Sequence, residues 1–478
     1  MPLRNLAWLV AVPAIIALGL AISYSAPAPD KDYRLVRQVV DVIAEVDANF
    51  YRELSDDERQ QFVEDMINGG LRKLDPHSEY LNAEHLKRFE TDAQGSFGGV
   101  GIVLTIDPET KFLKVDHPMP GTPAYDAGII ADDLIVKVGD KSTEGITVPD
   151  ARKLITGEPD TSVTLTTRRA GRNPAEQQVT LKRAQVAQHP VSGVRRRADD
   201  PQKWEWFADK PGGIGYIRVS GFSELTTKEI KAAVEEIERD GGKAIVLDLR
   251  ENPGGLLSEA VSVSDLFLTE GKIVSTRDRR SKERTFEAKK DGTMFLPAEQ
   301  KPIAVLVNDG SASASEIVAA ALQDNKRAVV IGERSFGKGS VQKLLRLPGD
   351  PPSAVKLTTE TYWRPSGANI DRIRASKDAP DQWGVRPDIE VPTTKEDKLR
   401  AEVEQLKRQW VAGKPDVVGP KPPAAPNPKG IDGKPIVDDS KPYTDQPLNK
   451  ALEVLRNKLR GVGTAPAPAR RLPERVLG

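Results

Sequence analysis

Near the start of the chain, Leu35, Val36, Val39, Val42, Ile43, Val46 and Phe50 recur at three- and four-residue steps. That spacing predicts a helix with one buried face. Ser55 and Glu58 form a capping-box signature ahead of a second helix carrying Phe62, Met66, Ile67, Leu71 and Leu74. Pro76 disfavours helical geometry at Asp75 and closes it. From residue 95 to about 184 the period changes. Alternating runs at 101–105, 112–115, 134–138, 163–167 and 178–181, bounded by Gly, Asp and Asn turns, predict strands. Residues 123–127 and 148–156 predict two short helices among them, so this stretch reads as a small β-barrel. From 213 to about 394, short apolar strands at 214–219, 244–249, 303–307 and 328–331 alternate with helical patterns. That alternation predicts an α/β core.

Beyond Pro392 the pattern weakens. Residues 395–411 suit a charged helix, and 413–447 are dense in Pro, Lys and Asp, the composition of an extended linker. Leu448, Leu452, Leu455 and Leu459 restore helical spacing, and that helix is expected to dock on a partner subunit. At the other end, Arg4 precedes an uncharged, almost wholly apolar run at 6–22 and then Ser23-Tyr24-Ser25-Ala26-Pro27-Ala28. This is the three-part layout of a secretory signal. The run is also long enough to span a bilayer. Export is the expectation, whether the segment is cleaved or stays as an anchor.

Composition narrows the chemistry. The 478 residues exceed one compact core. Seventy basic and 70 acidic residues balance, with neither sign clustered, which leaves no footprint for nucleic acid. There is no cysteine, so thiol nucleophiles, thiolate metal sites and disulfides are excluded. The four histidines, His77, His85, His117 and His189, form no HExxH pattern, and no GxSxG elbow occurs.

The densest chemical signal lies at 308–342. Asn308-Asp309-Gly310-Ser311-Ala312-Ser313-Ala314-Ser315-Glu316 follows an apolar strand and enters a helix marked by Ile317, Val318, Ala321 and Leu322. Backbone N–H groups are unpaired at a helix start, so a serine there has donors ready for an oxyanion. Serine is also the ordinary cap at such a turn. Then Gly332-Glu333-Arg334-Ser335-Phe336-Gly337-Lys338-Gly339-Ser340-Val341-Gln342 follows another strand. Glycine on both sides of Lys338 permits a tight bend. A buried, neutral lysine acts as a general base, and the Gln342 carbonyl, four residues on, suits it as an acceptor. The same residues nearly spell a phosphate-binding loop, but Gly339 stands where that loop needs Ser or Thr. Finally, Leu247-Asp248-Leu249-Arg250-Glu251-Asn252-Pro253-Gly254-Gly255 ends a buried strand in paired glycines, a second source of oxyanion donors.

Taken together, 310–316, 334–342 and 247–255 resemble the carboxy-terminal processing peptidases, or tail-specific proteases. The similarity covers roughly residues 32–393, including Leu74-Asp75-Pro76-His77-Ser78. It implies a mixed α/β and β, multidomain chain. The parts are a signal or anchor at 1–28, a helical region at 29–94 and a PDZ domain at 95–184. An α/β serine-protease core follows at 185–394, then a C-terminal helix, Pro-rich linker and terminal helix at 395–478. It further implies Ser313 as nucleophile, Lys338 as base and Gln342 as the residue orienting it. The oxyanion hole falls to Ala314 and Gly254, and Val100, Gly101 and Ile102 to the loop that captures a peptide carboxylate beside the 148–156 helix. The resulting expectation is an exported endopeptidase of the periplasm or cell envelope. It acts on proteins with exposed C-termini, without cofactor or metal, as a homo-oligomer, with an adaptor or activator as a further partner and possible inner-membrane attachment through 6–22. The competing expectation is a PDZ-bearing envelope scaffold whose protease core is inactive or partner-activated.

Overall fold

The computed structural model describes residues 31–169, 176–373, 382–414, 417, 437 and 443–461. The expected export segment and most of the Pro-rich stretch lie outside them. The described residues fall into two units, divided after Tyr80.

In the first unit, helices Lys31–Asn49 and Asp56–Leu74 form where the spacing places them. The Ser55 capping box is made: its N–H donates to Glu58 Oε2 at 3.0 Å and its Oγ accepts from the Glu58 N–H. One expectation is corrected here. Leu35, Val36, Val39 and Val42 are exposed rather than buried, because helical spacing reveals an apolar stripe but not what covers it.

The second unit contains a six-stranded antiparallel sheet in the order Ile102–Ile106, Leu113–Pro118, Leu134–Val138, Ser162–Arg168, Glu176–Lys182, with Lys141–Ser142 paired to Leu134–Val138. Helices Pro123–Asp126 and Val148–Ile155 complete it. Val100, Leu113, Val115, Ile129, Ile135, Ala151, Ile155 and Leu165 form its core. Strand Ile102–Ile106 ends the order, so one edge has no strand partner among the described residues.

The larger sheet runs Val191–Ser192, Ile214–Val219, Ala244–Asp248, Ile303–Val307, Ala328–Gly332, Ile389–Glu390, parallel from the second strand onward. Ala244–Asp248 and Ile303–Val307 are buried at every position, so both faces of the sheet need cover. Helices Thr226–Arg239, Leu257–Asp265 and Ala314–Asp324 cover one face. Helix Gln446–Leu459 covers the other: Ala451, Leu452, Val454 and Leu455 pack on Tyr216, Val246, Ala304, Leu306 and Ile331. The expected partner-docking helix therefore docks on its own chain. Its N-cap, Asp445, is gripped by Arg250 Nη1 and Nη2 at 2.8 and 2.9 Å, and Arg250 also holds Asp248. A second, antiparallel sheet contains Lys272–Asp278, Glu283–Glu287, Ser340–Leu347 and Ser353–Trp363.

Candidate active site

The three serines of the 311–315 turn have separate fates. Ser311 Oγ donates to the Leu249 carbonyl at 2.8 Å and accepts from the Asn308 N–H. Ser315 Oγ donates to the Asn252 carbonyl at 2.9 Å. Both hydroxyls are thus consumed in fastening this turn to the 249–252 loop. Ser313 alone faces a cavity of about 950 Å³, whose wall also carries Lys338, Gln342, Gly254, Gly255 and Tyr362.

Ser313 has φ 54° and ψ −112°, values of the first central position of a type II′ turn, where glycine normally sits. The turn is closed by the Ser315 N–H donating to the Ala312 carbonyl at 3.1 Å. A serine held there costs about 1–3 kcal/mol, so its surroundings must enforce it. They do: the Ala312 N–H donates to Asn252 O at 2.9 Å, and the Ser313 N–H to Glu316 Oε2 at 2.8 Å.

Glu316 joins this turn to the lysine loop. Its fully buried carboxylate accepts from the N–H of Ser313, from the N–H of Lys338 at 2.9 Å, from the N–H of Gly337 at 2.7 Å and from Ser335 Oγ at 2.5 Å. Burial pushes the Glu316 carboxyl up, and those four hydrogen bonds pull against it. The Phe336 N–H donates to Ser311 O, a further tie between the two loops. Sequence reading passed over Glu316 as a residue of the helix start. The signal was the Ser-x-x-Glu spacing of 313 and 316.

Lys338 is half-buried on the cavity wall. Gln342 sits at the start of strand Ser340–Leu347, where its amide nitrogen donates to Ser340 Oγ at 2.9 Å and Thr358 Oγ1 at 3.0 Å. Tyr362 was not foreseen. It is buried on the neighbouring strand, its N–H donates to Gly339 O at 2.8 Å, and it lines the cavity beside Ser313. Burial pushes its phenol up to about 12, opposed by the nearby Ser313 hydroxyl.

Ala314 is the first residue of its helix, so its N–H has no acceptor within the helix. The Gly254 N–H, the expected second oxyanion donor, is already given to Asn252 Oδ1 at 2.9 Å. The Gly255 N–H has no acceptor among the described residues. Gly254 serves sterically: its φ is 104°, and a Cβ there would lie 2.8 Å from Ser313 Cβ. Only glycine lets the two turns meet.

In the smaller sheet, Val100 is buried and its carbonyl accepts from the Ala124 N–H at 2.9 Å. The Gly101 carbonyl accepts from Met119 N at 2.9 Å and Thr122 Oγ1 at 3.2 Å. Ile102 opens the edge strand, and the core beneath includes Ala151 and Ile155 of the Val148–Ile155 helix. Val103, Met119 and Thr122 line the same cavity as Ser313.

Known proteins resemble this chain. Residues 213–391 match Peptidase family S41, and 114–169 match the PDZ domain. The chain is 37% identical over 414 residues to a carboxy-terminal-processing protease of Bartonella bacilliformis, spanning 86% of each chain. It is 34% identical over 330 residues to the carboxy-terminal processing protease CtpA of Bacillus subtilis, covering 69% of this chain and 65% of that one. Among solved structures, a photosystem II D1 C-terminal processing protease aligns over 74% of this chain and 92% of its own, at 29% identity and a TM-score of 0.38. A strained serine turn, a cavity shared with the PDZ domain, an S41 match over 213–391 and a relative 37% identical over 86% of the chain lead to one conclusion: this chain belongs to the carboxy-terminal processing serine proteases of peptidase family S41.

Proposed function

We propose that this protease cleaves with a Ser313–Lys338 pair after export to the cell envelope. The observation that carries the reading is the sorting of the serines: Ser311 and Ser315 are spent on backbone carbonyls, while Ser313 shares a cavity with Lys338. Ser313 Oγ attacks the scissile carbonyl, and the neutral Lys338 amine takes its proton. The Ala314 and Gly255 N–H groups receive the oxyanion. Lys338 then returns the proton to the leaving amine and activates the water that releases the acyl group. The Gln342 carbonyl, on an amide whose nitrogen is already anchored, orients the lysine amine. Substrate enters as an extra strand on the open edge of Ile102–Ile106, with its carboxylate at the Val100–Gly101–Ile102 turn.

Incubating the purified chain with an unstructured protein tests this. Wild type cleaves, and Ser313→Ala and Lys338→Ala leave the substrate whole while retaining peptide binding. Turnover by Lys338→Ala removes lysine from its role. Export through 1–28 is tested by fractionating cells that express the full chain, and recovery only with cytosolic markers overturns it.

A further inference from the structure

The cavity that holds Ser313 carries an arginine that this chemistry leaves unused. Arg196 lies on its wall, on the short strand Arg195–Arg196 paired with Trp204–Glu205. Its guanidinium stacks on the Trp204 ring, 3.9 Å from the centroid, and Nη1 donates to the Gln202 carbonyl at 3.2 Å. Its Nε is buried with no acceptor. The flanking arginines differ: Arg195 is paired with Glu205 and Arg197 with Asp199. The carboxylate whose charge reaches Arg196, Glu229, is itself bound to His189 Nδ1 at 2.5 Å. Burial pushes the Arg196 guanidinium down to about 10.

A part-buried cation on a cavity wall, with no ion pair among the described residues, suits an anion that arrives in that cavity. The charge on the wall agrees. Arg196, Lys338 and Lys356 face a single acid, Asp92. Position agrees as well. A Cβ on Gly121, in the loop preceding the Pro123–Asp126 helix, would lie 2.9 Å from Oε1 of the Gln202 that anchors Arg196. Arg196 therefore stands where the PDZ domain meets the protease core. The Trp204 stack holds the guanidinium, and Nη2, which makes no hydrogen bond among the described residues, is left for a carboxylate.

We propose that Arg196 is a specificity-determining residue that takes an Asp or Glu side-chain carboxylate of the polypeptide substrate, as the chain lies in the cavity towards Ser313. The proposal rests on the reading of Ser313 as the nucleophile. Its test uses Ser313→Ala protein, which binds without turnover, titrated with labelled peptides of one apolar sequence. One pair has a free or an amidated C-terminus, and a second pair, both with a free C-terminus, has an internal Glu or Gln. The Glu peptide binds about ten-fold or more tighter than its Gln twin, and that ratio falls to near one when Arg196→Gln is added, while the preference for a free C-terminus persists. A collapse of the free-against-amidated ratio instead assigns Arg196 to the C-terminus and overturns the proposal. Each ratio is taken within one variant, so a general loss of affinity cancels. If the Gln variant does not fold, Arg196→Lys decides, because it keeps the charge without the fork and must lower the ratio. Absence of any preference for Glu, or a Glu-against-Gln ratio unchanged by substitution at Arg196, overturns the proposal. Failure of the Ser313 reading shows separately, as turnover persisting in Ser313→Ala.

Discussion

Glu316→Gln removes one charge and one acceptor from the joint between the nucleophile turn and the lysine loop. The wild-type carboxylate receives four hydrogen bonds, two on each oxygen: Ser335 and Gly337 on Oε1, Ser313 and Lys338 on Oε2. A glutamine must turn its NH₂ towards one of these pairs. On the Oε2 side it would face two backbone N–H donors, and both would lose their acceptor. On the Oε1 side the Ser335 hydroxyl can rotate and accept, although it already accepts from the Val385 N–H at 2.7 Å. The Gly337 N–H is then orphaned. The cheaper arrangement thus leaves one buried donor unsatisfied, at about 1–3 kcal/mol of stability. Activity falls further than stability, because Gly337 adjoins Lys338 and a displacement of about 1 Å there costs about 100-fold in rate. The assay is steady-state cleavage of an unstructured protein beside urea unfolding of the same preparations. Expected are a lowered kcat, a nearly unchanged KM and a modest loss of stability. A kcat within about two-fold of wild type would refute the reasoning that this carboxylate sets the geometry.

Three further outcomes follow. Tyr362→Phe keeps the packing but deletes the hydroxyl beside Ser313; kcat is expected to fall up to about ten-fold with KM steady, the most that one polar contact is worth, and an unchanged kcat denies the phenol a part. Gly254→Ala places a Cβ 2.8 Å from Ser313 Cβ at a φ of 104°, so stability should drop by more than the about 1–3 kcal/mol of backbone strain alone, as read by urea unfolding. Leu455→Ala empties a fully buried site between the terminal helix and the sheet and should cost about 2–5 kcal/mol; a near-neutral melt would show that the helix is not docked in solution. The pH dependence of stability offers another check. Burial alone would push the Asp248 carboxyl up, but Arg250, with Arg218, overrules it and holds it at about 2. A carboxyl held below its unfolded value contributes stability that is intact above the unfolded pKa near 3.8 and lost as pH falls towards 2. Acid titration of Asp248→Asn should lack that component.

What the sequence made legible was what is local in the chain. The Ser55 and Glu58 cap, the end of its helix at Asp75, the strands of the PDZ domain and the parallel core all arise from patterns within a few residues. Ser313 and Lys338 were singled out by their immediate settings and by family likeness, and both line one cavity. What escaped depends on partners distant in the chain. Tyr362 reaches Ser313 only because strand Ser353–Trp363 pairs with Ser340–Leu347. Glu316 is ordinary until Ser335, Gly337 and Lys338 are brought to it. The choice between Gly254 and Gly255 turns on Asn252 Oδ1, whose orientation no spacing reveals. The terminal helix was read as amphipathic, but amphipathicity does not name what it covers. The better signal lay elsewhere, in the continuous apolar runs 244–247 and 303–307, which require helices on both faces.

The grip of Arg250 on Asp445 gives synthesis a say in activity. Arg250 opens the turn that carries Asn252, Gly254 and Gly255, yet one of its two carboxylate partners arrives 195 residues later in the chain. Chains form their structure from the N-terminal side as they are made. A growing chain has therefore produced the whole serine and lysine machinery while Arg250 is half-paired and one face of the sheet is bare. The last docked helix acts as a completion mark: a truncated protease, released early, possesses Ser313 and Lys338 but lacks the brace beneath its 250–255 turn.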